Sequence, residues 1–237
     1  MELVRIIILQ YNQSSFTIDL VNSLYKQDYK DIEIVVVDNN SNKEEVIRLK
    51  VELEGKVFLV LSDLNLGYAK GNNLGCKLST GKFPSFFLIL NNDIRINDNS
   101  FISKLVSTII DNHEYVAVSP LVNTLSTKIP IEQQIQVRRI PNVWETIIIS
   151  NFFLKRMFKK KYCSHIYKDL MPYNGQILEV ESINGAAFLI QADFFKKIGY
   201  FDENTFLYAE ELILGHTIKK NNLKCALNTT TCLLHYQ

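Results

Sequence analysis

The strongest constraint on this chain's fold lies in its first 120 residues. Runs that are apolar throughout alternate there with segments of helical periodicity. Val4–Leu9, Ile32–Val37, Val57–Leu61, Phe86–Leu90 and Tyr115–Val118 read as strands. Between them, Ser14 to about Gln27 carries Phe16, Leu20 and Leu24 at helical spacing. Ser41 and Glu44 resemble a capping box that opens a helix to about Leu53. Tyr68–Leu78, stopped by Thr80-Gly81, and Phe101–Ile110 read as two more helices. Strands without polar alternation are buried on both faces. The pattern therefore predicts an α/β fold with a mostly parallel central sheet and helices on both faces. In such sheets, ligands bind beyond the carboxyl ends of the strands.

Those ends are polar: Gln10-Tyr11-Asn12, Asp38-Asn39-Asn40-Ser41, Asn65-Leu66-Gly67 and Asn91-Asn92-Asp93. Any one of them is explained by turn formation or capping. Four on one edge predict a cleft lined with amides and two carboxylates, suited to a polar ligand. The chain has neither GxGxxG nor GxxxxGK[ST], which argues against a Rossmann dinucleotide site or a P-loop. Instead Gly67, Gly71 and Gly75 recur every fourth residue, interleaved with Asn65, Lys70, Asn72 and Asn73. Glycines so spaced let backbone approach a ligand, or let a helix pack tightly. Asp93 could hold Mg2+ or Mn2+ together with phosphate oxygens, or close a turn before Ile94. Glu210-Glu211, beside a predicted helix Ala209–Asn221, offers a general base or merely a favourable pair of acids at a helix start.

The remainder is less regular. Leu121–Leu178 shows no strand–helix repeat, Glu179–Ile190 reads as a strand broken at Asn184-Gly185, and Lys224–Asn228 and Cys232–Tyr236 read as closing strands. The 237 residues are expected to form one domain, with a regular half (1–119) and a less regular half (120–237). The total charge of +1 excludes a surface that is basic throughout. Yet residues 138–168 hold eight basic residues against one acid, Glu145, a local charge of +7. Trp144, Phe152, Phe153, Phe158 and Tyr162 are interleaved with Lys155, Arg156 and Lys159–Lys161. Such a segment suits an anionic membrane surface, or a solvated basic helix packed by its apolar face. No RNA-recognition module is visible, so no nucleic-acid partner is expected. The four cysteines lack zinc spacing and read as reduced, mostly buried thiols. No run reaches about 18 apolar residues and no signal peptide is visible. A cytoplasmic protein is expected, free or peripheral on the inner face of the cell membrane.

As an ordered set, these residues resemble family 2 glycosyltransferases of the GT-A fold. The set comprises Val4–Asn12; Ile34–Ser41; Asn65–Gly75; Leu88–Ile94; Asn184–Ile190; Ile198–Glu203; Phe206-Leu207-Tyr208-Ala209-Glu210-Glu211; and His235. The resemblance covers nearly the whole chain except about residues 120–178. It implies transfer of a sugar, with inversion, from a UDP-, dTDP- or GDP-linked donor to a glycan or lipid-linked acceptor, as in bacterial cell-surface polysaccharide, rhamnosyl or glycolipid synthesis. By that resemblance Gln10, Tyr11, Asn12, Asp38, Asn40, Asn65, Gly67, Lys70, Gly71, Asn72, Asn91, Asn92 and Asp93 would bind the nucleotide sugar. Asn184, Gly185 and Ala186 would line the sugar pocket. Asp93 would stand at the end of the metal motif for Mg2+ or Mn2+; His235 would assist the metal or the diphosphate, or else be a strand-end histidine with a structural role. Glu211 would be the base, with Glu210 as the other candidate. The family's DXD and Glu-Asp motifs read here Asn91-Asn92-Asp93 and Glu210-Glu211, and Ile213 and Thr217 replace the acid and arginine often found further along that helix. These departures leave a second reading, a weakly active nucleotide-binding partner of another glycosyltransferase. A sugar-phosphate nucleotidyltransferase is disfavoured, because Gln10-Tyr11-Asn12-Gln13 stands where a Gly-rich basic loop is needed.

Overall fold

The computed structural model describes residues 2–131, 134–207 and 209–236, with Asp169 described without its side chain. Tyr208, within the sequence motif that precedes Glu210, lies outside the described residues. The strands are β1 (Val4–Gln10), β2 (Ile32–Asp38), β3 (Phe58–Leu61), β4 (Phe86–Asn91), β5 (Ile94–Arg95), β6 (Tyr115–Thr124), β7 (Ile177–Val180), β8 (Ala187–Gln191) and β9 (Lys224–His235). The helices are α1 (Ser14–Leu24), α2 (Lys43–Glu52), α3 (Gly67–Cys76), α4 (Phe101–Ile110), α5 (Val143–Ser150), α6 (Phe152–Met157), α7 (Lys159–His165), α8 (Ala192–Lys197) and α9 (Glu210–Lys220).

Among the described residues, the strands form one sheet in the order β3-β2-β1-β4-β8-β6-β9-β5, with β7 also paired to β9. Strands β1 to β4 are mutually parallel, as the apolar runs predicted. Antiparallel β8 then lies between β4 and β6, and β6 pairs in parallel with β9. Alternation along β1 divides the core: Ile6 and Ile8 pack with α1, α2 and α4, while Ile7 faces α3, α8 and α9. Among β1–β4, β3 is the strand left largely unburied. It is an edge strand, and Phe58 and Leu61 are exposed.

Three local expectations are corrected. Asn42, not Ser41, caps α2: its side chain accepts the Glu45 N–H, while the Ser41 hydroxyl accepts from Gln10 and the Asn12 N–H. Residues 179–190 are not one interrupted strand, because β7 joins β9 whereas β8 sits between β4 and β6. The two closing strands are one strand, β9, whose register against β6 jumps from Asn228 opposite Pro120 to Cys232 opposite Leu121. Thr229–Thr231 fill that bulge. Thr231 donates to Asp98 at 2.7 Å and Asn228 to Thr108 at 2.9 Å, which fastens the bulge to α4 and the loop before it. Through and past the bulge, Thr231, Leu233 and His235 are buried while Thr230 and Cys232 point outward. Cys232 is thus an exposed thiol and Cys163 half-buried; only Cys76 and Cys225 meet the buried expectation.

Candidate active site

At the carboxyl ends of β1 and β2 the polar residues bond to one another. The Gln10 side-chain amide donates to both Asp38 and the Ser41 hydroxyl. The second Asp38 oxygen accepts the Ser41 N–H at 3.0 Å. Asn12, at φ +53°, accepts the Asn42 N–H at 2.8 Å. Asp38 is only 1% exposed, so its carboxylate organises these loops from below. Tyr11, Asn12 and Asn40 form the exposed rim above it. Asn39, absent from the residues predicted to bind ligand, is the hub to the next strand: it donates to Asn65 at 2.9 Å and accepts the Leu66 N–H at 2.8 Å. It occupied a polar strand end, and only its tertiary partners distinguish it from a turn residue.

The Asn65–Gly75 segment separates into two roles. Gly67, at φ +74°, meets Phe206: a Cβ there would lie 2.3 Å from the Phe206 carbonyl oxygen, which accepts the Tyr68 N–H at 2.9 Å. Gly71 and Gly75 instead face the sheet, against Leu9 and against Ile7 and Val37. Their spacing serves helix–sheet packing, the other of the two readings open at Gly71. Asn72 is fully buried and donates to the Tyr68 carbonyl, and Lys70 is exposed.

After β4, Asn92 turns inward, toward the Thr17 hydroxyl at 3.3 Å and the Gln13 carbonyl at 3.4 Å, so it anchors α1 and does not face the cleft. Asn91 lines the cleft, and its N–H donates to the Ala186 carbonyl at 2.9 Å. Asp93 meets the end of β9. Its Oδ1 lies 3.2 Å from His235 Nε2, and its carbonyl accepts the Tyr236 N–H. The imidazole is within ion-pair distance but misaligned, so buried Nε2 has no hydrogen-bond partner. A carboxylate oxygen and an unpartnered imidazole nitrogen at the cleft suit a divalent cation completed by phosphate oxygens and water. Among the described residues no cluster of three protein ligands exists, so a cation there would depend on such outside ligands.

The opposite wall comes from the second half of the sequence. A cleft of about 330 Å³ is lined by residues including Asn91, Asn184–Ala186, Glu210, Glu211 and His235. The Asn184 side chain donates to the Gln136 carbonyl and accepts the Ala186 N–H, which shapes the turn. The Gly185 carbonyl accepts the Tyr68 hydroxyl at 2.7 Å, tying α3 to this wall. Burial, then the nearby Glu210 and Glu211 carboxylates, pushes the Tyr68 phenol well up, so it stays a neutral donor. Glu211 is half-buried, and its Oε2 would lie 3.9 Å from a Cβ at Gly185. Glu210 is buried, with Oε1 unpartnered. Gln136 and Arg138 also line this cleft, though sequence reasoning counted Arg138 only as part of the basic window.

The fold and much of the sequence match proteins already known. The solved structure of GalNAc-T7 with UDP, GalNAc and Mn2+ superposes over 100% of this chain and 44% of its own, with TM-score 0.73 and 16% identity. Staphylococcus aureus TarS 1–349 in complex with UDP superposes over 99% of this chain and 60% of its own, with TM-score 0.62 and 18% identity. These likenesses establish the GT-A fold. In sequence, the low-salt glycan biosynthesis hexosyltransferase Agl10 of Haloferax volcanii is 26% identical over 218 residues, 92% of this chain and 63% of that protein. Glycosyltransferase GlyG of Streptococcus pneumoniae is 25% identical over 100 residues, 41% of this chain and 32% of that protein. The chain thus spans less than two thirds of each of these relatives. The family model described as Glycosyl transferase family 2 matches residues 5–177, including the irregular stretch 120–177 that the motif resemblance left out, and stopping before α9 and His235. With nearly three quarters of its length matched, the chain belongs to glycosyl transferase family 2.

Proposed function

We propose that this chain transfers a sugar, with inversion, from a nucleoside-diphosphate donor to an acceptor hydroxyl. The observation that carries the reading is that His235, with Asp93 3.2 Å behind it, lines one cleft together with Glu210 and Glu211. The nucleoside would rest on the rim formed by Tyr11, Asn12, Asn40 and Asn65, held in shape by Asp38, Gln10 and Ser41. The Gly67–Phe206 contact would close that rim from the other side. Asp93 and His235 would hold Mn2+, or Asp93 alone Mg2+, since Mg2+ takes oxygen ligands. The bound cation would supply neutralisation of charge on the leaving diphosphate.

Glu211 is the assigned base. Its carboxylate lies near the Gly185 turn and is half-exposed, whereas the Glu210 side chain is buried. It would accept the acceptor hydroxyl proton as that oxygen attacks the anomeric carbon and the bond to the diphosphate breaks on the opposite face. Asn184 and Ala186 would set the floor under the sugar. The acceptor would be a glycan or a lipid-linked glycan, entering past Gln136 and Arg138. A thermal-shift series with UDP-, dTDP- and GDP-sugars, with and without Mn2+, tests the reading. The correct donor at 100 times its dissociation constant should stabilise the fold by about 2.7 kcal/mol. No stabilisation by any donor, together with no donor turnover, would overturn it.

A further inference from the structure

Helices α5, α6 and α7 contrast with the rest of the fold. A surface helix of a globular protein turns its apolar stripe inward. Here α5 and α6 bury no residue, and α7 buries only His165. Trp144 is 75% exposed, Phe152 75% and Phe153 80%, with Val143, Ile147, Met157 and Phe158 also exposed. At about 100° per residue, Val143, Trp144 and Ile147 fall within one arc of about 100° on α5. Five basic residues follow at once, Lys155, Arg156, Lys159, Lys160 and Lys161, with Glu145 the only acid on these helices. Apolar rings and uncompensated positive charge on one excursion match the two layers of an anionic bilayer surface, acyl chains beneath phosphate headgroups.

The excursion is anchored beside the cleft. The Gln136 side chain accepts the Val122 N–H at 2.7 Å and donates to the Val122 carbonyl, and Ser182 donates to the Arg138 carbonyl at 2.6 Å. The Arg139 N–H donates to the His165 carbonyl at 2.8 Å, so the chain leaves toward α5 and returns from α7 at one place. The same short segment, Gln136–Arg138, lines the cleft.

The geometry points to α5–α7 as a docking surface for an anionic lipid bilayer, holding the acceptor side of the cleft at the membrane. The transfer reading concerns the cleft, and this inference goes beyond it. Trp144 is the only tryptophan of the chain, so its emission reports the surface directly. Phosphatidylcholine vesicles with 30% phosphatidylglycerol, roughly a bacterial-type negative surface, should shift Trp144 emission to the blue and co-sediment the protein; pure phosphatidylcholine should do neither. Neutralising Lys159, Lys160 and Lys161 to Gln should lower the partition coefficient by about a hundredfold, at roughly 1 kcal/mol per charge. Phe152→Ser with Phe153→Ser should abolish the co-sedimentation and leave the unfolding midpoint unchanged, since neither ring is buried. Binding that is equal on both vesicle types, or absent from both, would overturn the inference. So would Trp144 emission already blue-shifted without vesicles and dependent on protein concentration, which would mean that a second copy covers this face. UDP titration by calorimetry, run in parallel, reports the cleft independently, so the two readings fail separately.

Discussion

Asp93 Oδ1 and His235 Nε2 lie 3.2 Å apart, though β4 and β9 are not neighbours in the sheet. β5 makes the meeting possible: Ile94 pairs directly with His235, so the residue before Ile94 faces the imidazole. The register that places His235 there is set upstream by the Thr229–Thr231 bulge.

Asp93→Ala and His235→Ala should each weaken Mn2+-dependent nucleotide binding by about tenfold to a hundredfold, comparable to losses seen when metal ligation is disturbed. Calorimetry with UDP, with and without Mn2+, is the measurement. Equal affinity in wild type and both variants would remove the pair from the cation site.

Glu211→Gln should lower turnover by about 10² to 10⁴, the usual share of a general base, with nucleotide affinity retained. Glu210→Gln should cost far less, because that side chain is buried whereas Glu211 is half-exposed. Steady-state rates of the two variants decide the assignment, and a reversed order would make Glu210 the base.

Gly67→Ala should be more harmful than Gly81→Ala. Both glycines adopt positive φ, so both substitutions incur backbone strain, about 1 kcal/mol. Only at Gly67 would the added Cβ also strike backbone, at Phe206; nothing lies within 4 Å of one at Gly81. Unfolding midpoints of the two variants test this, with Gly67→Ala expected to lose nucleotide affinity as well.

Asp98 should make stability sensitive to acid. Burial would raise its pKa, but the Lys104 ammonium, the Ser100 and Thr231 hydroxyls and the Ser100 N–H outweigh that and hold the carboxyl well below the usual carboxylate range. A group whose folded-state pKa is depressed stabilises fully above its unfolded value, near 3.9, and loses that contribution as pH falls further. The difference in melting temperature between wild type and Asp98→Asn should therefore be constant from pH 7 to about 5 and shrink below about 4. A constant difference down to pH 2 would contradict the arrangement around α4.

The sequence alone determined the parallel βαβ half, because uniform apolar runs and helical periodicity record burial that each segment experiences locally. It also placed Gln10, Asp38 and Asp93 at the strand ends, since those ends follow wherever the runs stop. Tertiary structure decided which polar residues do what. Asn39 became a hub and Asn92 an anchor for α1, and Gly71 became a packing contact, because their partners lie on segments that no local pattern specifies. The same holds for Glu211 and His235. They share one cleft only because antiparallel β8 inserts beside β4 and because a bulge resets β9, and strand order and register are contacts between distant segments. The basic, aromatic stretch was legible as composition. That its rings stand outward beside the cleft became visible only once the sheet had been built and its core filled without them.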